Sequence, residues 1–178
     1  MSKKLLREYF ELCPEGRCPV DVLTESEKKR VMNEGAVYLV GICQRAGVKN
    51  GNGRIYGKET LDEIRVNCEN KGKEKNLQID FFQSNNEGEL INKIQEVDKL
   101  YDGLIINPAA FTHSSIAILD ALRNIKKPKI EIHLSNIYSR EEYRKKSLTS
   151  EAVNGFICGF GGNSYILGIE AIHKLIYN

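Results

Sequence analysis

From residue 36 onwards, short apolar runs alternate with longer segments in which apolar residues recur every three to four positions. The short runs are rich in β-branched and aromatic residues, and they occupy 37–40, 79–82, 104–106, 130–134 and 156–158. The longer segments have helical spacing and cover about 59–74, 87–99, 114–125 and 163–177. Strands that alternate with helices pair in parallel, and the helices cover both faces of the sheet. The pattern predicts an α/β fold on a flavodoxin-like, doubly wound, five-stranded parallel sheet.

Residues 1–35 differ in character from the rest of the chain. An apolar face at residues 5–10 predicts one short helix, which a proline then interrupts. Thr24 is typical of a helix start, and Gly35 of a helix end. The predicted organisation is a short helical N-terminal extension, 1–35, followed by one domain, 36–178.

Composition narrows the classes of function. The chain is 41% hydrophobic and 28% charged, which is typical of a globular protein in water. Its formal net charge of +2 is too small to indicate a nucleic-acid partner or an anionic membrane. No apolar run approaches the roughly 18 residues of a membrane span, and charges interrupt any secretory signal near the N-terminus. We therefore expect a cytoplasmic protein.

The five cysteines indicate neither a disulfide framework nor a metal site. Their number is odd and their spacing is irregular. Cys13 and Cys18 form a close pair, but no second Cys or His pair lies nearby to complete a four-ligand zinc set. Cys43 and Cys158 fall in strand-like runs, where a thiol behaves as a small apolar side chain. We expect no bound metal.

Polar side chains follow the predicted strands where the strands end, at Gln44, Arg45, 83–86, Asn107, 112–113 and 133–136. Ligands of such sheets bind beyond the carboxyl ends of the strands, so these groups predict a site for a hydroxylated, anionic small molecule. No P-loop occurs and no Gly-x-Gly-x-x-Gly follows the first strand, so nucleotide binding has little support. The glycine-rich segment 159–162 is consistent with an anion-binding turn and with a plain tight turn.

Three motifs carry a family resemblance. They are Phe82-Gln83-Ser84-Asn85-Asn86-Glu87-Gly88-Glu89-Leu90, Asn107-Pro108-Ala109-Ala110-Phe111-Thr112-His113-Ser114-Ser115, and Glu131-Ile132-His133-Leu134-Ser135-Asn136 continuing to Arg140 and Arg144. In this order and at these spacings, residues 36–178 closely resemble type II 3-dehydroquinate dehydratases. The family removes water from 3-dehydroquinate to give 3-dehydroshikimate, through an enolate and without a cofactor. The resemblance implies this activity, in aromatic amino-acid (shikimate) biosynthesis or in quinate catabolism.

The resemblance also implies roles for individual residues. Tyr56 would be the base, and His133 the general acid that protonates the departing hydroxyl. Glu131, on the same strand face by the period-two rule, would orient the His133 ring, and Asn107 would hold the water or the enolate oxygen. The implied substrate-binding set is His113, Asp120, Leu134, Ser135, Arg140 and Arg144. Because the family's aspartate reaches the active site of a neighbouring subunit, trimers, assembled into a dodecamer, are also implied.

The loop after the first strand departs from the family pattern. Gln44 stands where the family has an asparagine, and Gly51 where it has a lid arginine, five residues before the tyrosine. An ordinary tyrosine titrates near about 10, and that arginine is thought to lower its pKa. Arg54 or Arg45 would have to serve in its place. We therefore expect activity that survives in weakened form.

Other interpretations stay open. One is a pseudoenzyme on the same fold, which binds quinate-like ligands or nothing. Another is an assembly protein, in which residues 1–35 dock a partner. A small-molecule hydrolase is weaker, because the sequence has neither a nucleophile elbow nor a metal cluster. Taken singly, Tyr56 is consistent with a surface-loop residue, and His133 with a buried structural histidine.

Residues 38–56 also faintly resemble the opening segment of phage prohead proteases. A mosaic chain joined near Tyr56 is therefore a further interpretation. No Ser/His pair of such a protease follows, so proteolysis is not implied.

Overall fold

Five parallel strands form one sheet in the computed structural model, which describes residues 36–41 and 58–177. In chain order the strands are β1 (Ala36–Gly41), β2 (Gln78–Gln83), β3 (Gly103–Asn107), β4 (Lys129–His133) and β5 (Gly155–Cys158). Their order across the sheet is β2-β1-β3-β4-β5, and every pairing is parallel. The predicted α/β fold with a parallel sheet is confirmed.

Helices connect these strands and follow the last one. Within the described residues the α-helices are α1 (Lys58–Glu74), α2 (Glu87–Gln95), α3 (Val97–Leu100), α4 (Ile116–Asn124) and α5 (Asn163–Tyr177). Short 3₁₀ helices lie in the loops after β3 and β4, at Ala109–His113, Ile137–Ser139, Glu142–Arg144 and Thr149–Ala152.

Side-chain caps decide where the helices begin. Asn86 caps α2 by accepting hydrogen bonds from the backbone N–H groups of residues 88 and 89. Ser115 caps α4, and its Oγ accepts from Ile118 N at 2.8 Å. The helix predicted for 114–125 therefore starts later, at Ile116. The helix predicted for 87–99 is not continuous, because Glu96 separates α2 from α3.

Side chains of β3 and β4 alternate between the two faces of the sheet. On β3, Ile105 packs in a layer with α1 and α5, whereas Leu104 and Ile106 pack in a layer with α2 and α4. Every residue of β3 and β4 is buried, as expected for a sheet covered on both faces. The two isoleucines of β4 join the layer of α1 and α5, so Glu131 between them points toward the other layer.

The predicted N-terminal extension, 1–35, and the first loop, 42–57, lie outside the described residues. The predicted domain boundary therefore stays a prediction. Among residues 36–41 and 58–177, no helix combines the length and the apolar character needed to cross a membrane.

Candidate active site

The centre of the site is a carboxylate buried in the sheet. Glu131 is 0% exposed, and it lies beside Ile106 in the pairing of β3 with β4. Four side chains contact its oxygens: His133 Nε2 at 2.7 Å, Thr112 Oγ1 at 2.7 Å, Thr149 Oγ1 at 2.7 Å and Ser147 Oγ at 3.2 Å. Burial alone opposes ionisation, but the hydrogen bonds from His133 and Thr112 outweigh it and hold the pKa of Glu131 below its ordinary value. Glu131 is therefore a carboxylate at neutral pH.

His133 ends β4 with its ring fixed on two sides. The ring is buried, and its centroid lies 5.3 Å from that of Phe156 on β5. An ionised carboxylate accepts hydrogen bonds and donates none, so Nε2 of His133 carries a hydrogen toward Glu131. Nδ1 is then the nitrogen that gains or loses the second proton. The pair is suited to proton transfer, because Glu131 fixes the ring and its tautomer and leaves Nδ1 to exchange a proton.

Asn107 ends the neighbouring strand, β3, at the same edge of the sheet. Its Nδ2 donates to Tyr165 Oη at 3.4 Å, and its Oδ1 accepts from Ala109 N at 3.2 Å. Ala109 has a φ of 47°, a left-handed conformation that a non-glycine residue rarely adopts. The side-chain turn at Asn107 helps to hold that conformation. Tyr165 and Ser164 both lie at the start of α5. Tyr165 contacts the end of β3, and Ser164 Oγ donates to His133 O at the end of β4, at 3.0 Å.

His113 lies at the end of the 3₁₀ helix Ala109–His113, half-buried beside the loop that follows β4. Its Nδ1 is 2.7 Å from Lys146 O, so Nδ1 donates and Nε2 is the acceptor nitrogen. Leu148 N also donates to Thr112 O at 2.7 Å. These contacts tie the 3₁₀ helix and the loop to each other.

Leu134 and Ser135 continue directly from β4, and both are half-buried. The N–H groups of Gly159 and Gly161 donate to His133 O at 3.2 Å and to Leu134 O at 2.8 Å. Both glycines have positive φ, 96° and 57°, where an L side chain would be strained. Because these two N–H groups bond to the protein's own carbonyls, the glycine-rich segment acts here as a tight turn.

The remaining predicted binding residues lie on the surface or in the loop after β4. Arg140 and Arg144 both contact Glu141, at 3.4 Å in each case. The guanidinium of Arg144 also lies over the ring of Tyr143, 5.4 Å from its centroid. Asp120 is exposed on α4.

Several predicted residues lie outside the described part of the chain. These are Tyr56, Arg54 and Arg45, together with Gln44 and Gly51 of the altered loop. The structure thus brings Glu131 and His133 into contact and places Asn107 at the same sheet edge, and it does not test the base.

Sequence reasoning missed the groups that hold these side chains in place, which are Thr112, Ser147, Thr149, Ser164 and Tyr165. Thr112 was visible only as a member of a motif. Ser147 and Thr149 fall in a polar run, 147–150, that has no strand or helix periodicity. What marks Ser147 and Thr149 is their contact with Glu131, and residues this far apart along the chain meet only in the folded structure.

Comparisons with known proteins identify related sequences. The family model described as dehydroquinase class II matches residues 45–173. A 3-dehydroquinate dehydratase of Clostridium botulinum is 57% identical over 118 residues, which are 66% of this chain and 80% of that protein. The enzyme of the same name from Rhizobium johnstonii is 46% identical over 121 residues, covering 68% of this chain and 83% of that protein.

A solved structure is similar as well. The crystal structure of type II dehydroquinase from Butyrivibrio crossotus has a TM-score of 0.69 and 38% identity to this chain. The similarity covers 78% of this chain and 96% of that one. The shared fold therefore extends well beyond the motifs that carry the sequence resemblance.

Proposed function

The chain belongs to the class II dehydroquinase family, and we propose that it removes water from 3-dehydroquinate to give 3-dehydroshikimate. The observation that carries the proposal is the buried contact of 2.7 Å between Glu131 and His133, at the sheet edge where Asn107 also ends. Family membership supports the choice of substrate, and this contact supports His133 as the group that protonates the leaving oxygen. The reaction belongs to aromatic amino-acid biosynthesis.

The proposed mechanism is an elimination through an enolate. Tyr56, as a phenolate, takes the proton from the carbon next to the ketone, and the electron pair moves into the enolate. His133 then gives the proton on Nδ1 to the departing hydroxyl as the carbon–oxygen bond breaks and the ketone re-forms, and the hydroxyl leaves as water. Tyr56 has gained one proton and His133 has lost one, so exchange with solvent restores both for the next cycle.

The acid step is supported by the charge of Glu131. The ionised carboxylate accepts the hydrogen of Nε2 and fixes the ring, so that Nδ1 is the nitrogen that donates. The base step needs a cation near Tyr56, because an ordinary phenol at neutral pH is almost wholly protonated. We assign this role to Arg54 or Arg45, since Gly51 occupies the position of the family's lid arginine.

Substrate binding is assigned to residues around the same edge. Asn107 would hold the water or the enolate oxygen, and Arg144 the carboxylate through a bidentate fork. His113 has its acceptor nitrogen available for a substrate hydroxyl, because Nδ1 is used by Lys146 O. Leu134, Ser135 and Arg140 complete the set on this subunit.

Three further proposals concern the whole molecule. The strand order β2-β1-β3-β4-β5 is that of flavodoxin-like folds, so we assign the sheet to that class. Asp120 would complete a neighbouring subunit's site within trimers, assembled into a dodecamer. The cytoplasmic location also stays a prediction.

A catalytically impaired pseudoenzyme is the alternative, and Gly51 is the feature that suggests it. An absorbance assay for the conjugated enone, run with purified full-length protein and 3-dehydroquinate, separates the two. We expect turnover, and we expect Tyr56→Phe to lower it at least about 10²-fold, the usual lower range for loss of a general base. Calorimetric binding of 3-dehydroquinate without enone formation would instead identify a pseudoenzyme. Equal rates for the wild type and Tyr56→Phe would refute the assignment of Tyr56.

A further inference from the structure

Three hydroxyl groups from two separate segments close around the carboxylate of Glu131. Thr112 comes from the 3₁₀ helix after β3, while Ser147 and Thr149 come from the loop after β4. Thr112 and Thr149 are both 0% exposed. Thr112 Oγ1 also lies 2.7 Å from Ser147 Oγ and 2.8 Å from Thr149 Oγ1, so the hydroxyls form a connected cluster.

The number of hydroxyl hydrogens determines which atoms of this cluster donate and which accept. Each hydroxyl has one hydrogen to give. Thr149 is placed to give its hydrogen to Oε2 of Glu131, and Thr112 to Oε1. Ser147 then gives its hydrogen either to Thr112 Oγ1 at 2.7 Å or to Oε1 at 3.2 Å. The hydrogens point inward, an arrangement that suits a charged acceptor.

Thr149 holds a distinct place in this arrangement. Within the described residues, Oε1 of Glu131 is contacted by His133, Thr112 and Ser147, and Oε2 by Thr149. With both oxygens fixed, the carboxylate cannot turn about its terminal bond without breaking a hydrogen bond. By holding Oε2, Thr149 therefore also keeps Oε1 facing His133.

We propose that Thr149 is a positioning residue for the dehydration: its hydroxyl keeps Glu131 charged and oriented, so that His133 holds the proton it must donate. The effect on rate rests on the proposed function, but the effect on His133 itself does not. Thr149 touches neither His133 nor the reacting atoms in this account. It acts through Glu131, and Thr112 acts with it.

Other titratable groups lie on the elements packed around the pair. Cys158 of β5 is the register partner of His133, Tyr165 is at the start of α5, and Tyr138 packs on Phe156. The thiol is the group whose ionisation would most easily be confused with that of His133. Cys158→Ser in the same background removes that ambiguity.

The test compares Thr149→Val, which keeps the shape and removes the hydroxyl, with Thr149→Ser, which keeps the hydroxyl. The first readout is the pH profile of kcat with 3-dehydroquinate. The second is the titration of the His133 ring by ¹³C NMR without substrate, with the signals of the three histidines assigned through His113→Gln and His173→Gln. Ser115→Ala is the matched control, because it removes another buried hydroxyl, one that caps α4 and has no contact with Glu131.

We expect Thr149→Val to lower kcat and to shift the ring titration, and the pH above which kcat falls, downward, because a Glu131 carboxylate that is no longer held at Oε2 can turn away from the ring and stabilise its protonated form less. KM should stay within about two-fold, because the substrate contacts are unchanged. Thr149→Ser should restore both values. Ser115→Ala should lower the melting temperature and leave the His133 titration where it was.

An unshifted titration in Thr149→Val would overturn the proposal, even if kcat fell. If Thr149→Val does not fold, Thr149→Ala and Thr112→Val are titrated in its place, and an unshifted His133 titration in both would overturn the proposal. Failure of the proposed function is recognised separately, because the wild type would then form no enone while the NMR comparison still reports on Thr149.

Discussion

At the scale of single residues, Glu131 carries a charge on a strand whose five residues are all buried. A lone carboxylate in such a place would be neutralised rather than left charged. Hydrogen bonds from His133, Thr112 and Thr149 hold its pKa below the ordinary value instead, despite complete burial. The same hydrogen bonds that keep the charge also fix the tautomer of His133, so stability and catalysis depend on one group.

Glu131→Gln should therefore lower both activity and stability. The NH₂ group of the glutamine would face hydroxyl groups that donate hydrogen bonds to the carboxylate. Donors left without an acceptor in a buried site cost about 1–3 kcal/mol. Because the pKa of Glu131 is depressed in the folded state, its contribution is complete above the ordinary value near about 4.3 and is lost as the pH falls through the folded value. Urea unfolding should show a large difference in the free energy of unfolding between wild type and variant at pH 7, and a smaller difference at acidic pH. A difference that is constant with pH would contradict this account of the charge.

The sequence predicted part of this arrangement. Period two along a strand puts Glu131 and His133 on one face, so their contact could be anticipated. The hydroxyl donors could not, because they lie 16 to 19 positions away from Glu131 along the chain. No local pattern indicates which serine or threonine will arrive at a carboxylate after folding.

At the scale of elements, ion pairs of one glutamate link α5 to the C-terminal end of α1. Glu170 of α5 accepts from Lys71 of α1 and, at 2.8 Å, from Lys75 in the turn that follows α1. These two ammonium groups lower the pKa of Glu170 to about 2. Since α5 also carries Ser164 and Tyr165, which contact the ends of β4 and β3, these ion pairs help to hold the helix that supports the site.

Glu170→Gln should lower the melting temperature at neutral pH by no more than about 2–4 °C, since exposed ion pairs contribute little. The contribution of a lowered carboxyl pKa is present above the ordinary value and is lost as the pH falls toward about 2, so the difference should disappear in acid. High salt should also reduce it. Calorimetric melting at several pH values measures this, and a difference that persists at pH 2 would rule out the ionic explanation.

Elements with a long apolar rhythm were predicted well, and irregular ones were not. The strands and the helices α1, α4 and α5 follow directly from periods of two and of three to four. The break at Glu96 and the 3₁₀ helices between 137 and 152 have no such rhythm. Their paths are fixed by contacts with other parts of the fold, such as Leu148 N with Thr112 O.

At the scale of the whole molecule, α4 presents an outer face that suits contact between subunits. Ile116 is 65% exposed, and Asp120, one turn later on the same face, is exposed as well. An exposed apolar residue beside the aspartate assigned to a neighbouring site is consistent with the proposed trimers.

Ile116→Glu should therefore shift the protein to smaller species in sedimentation, because it places charge in the proposed subunit contact. The KM for 3-dehydroquinate should rise in the same variant, since Asp120 would no longer reach the neighbouring site. Ile116→Val keeps an apolar side chain and serves as the control. An unchanged mass together with an unchanged KM would contradict the placement of α4 between subunits.

The central claim is that His133, held by an ionised Glu131, protonates the hydroxyl that leaves 3-dehydroquinate. The most direct measurement is kcat for enone formation by His133→Ala, with His173→Ala on α5 as the matched control. We predict a loss of at least about 10²-fold for His133→Ala, the range for removing a general acid, and a rate near that of the wild type for the control. A His133→Ala rate within two-fold of the wild type would contradict the claim.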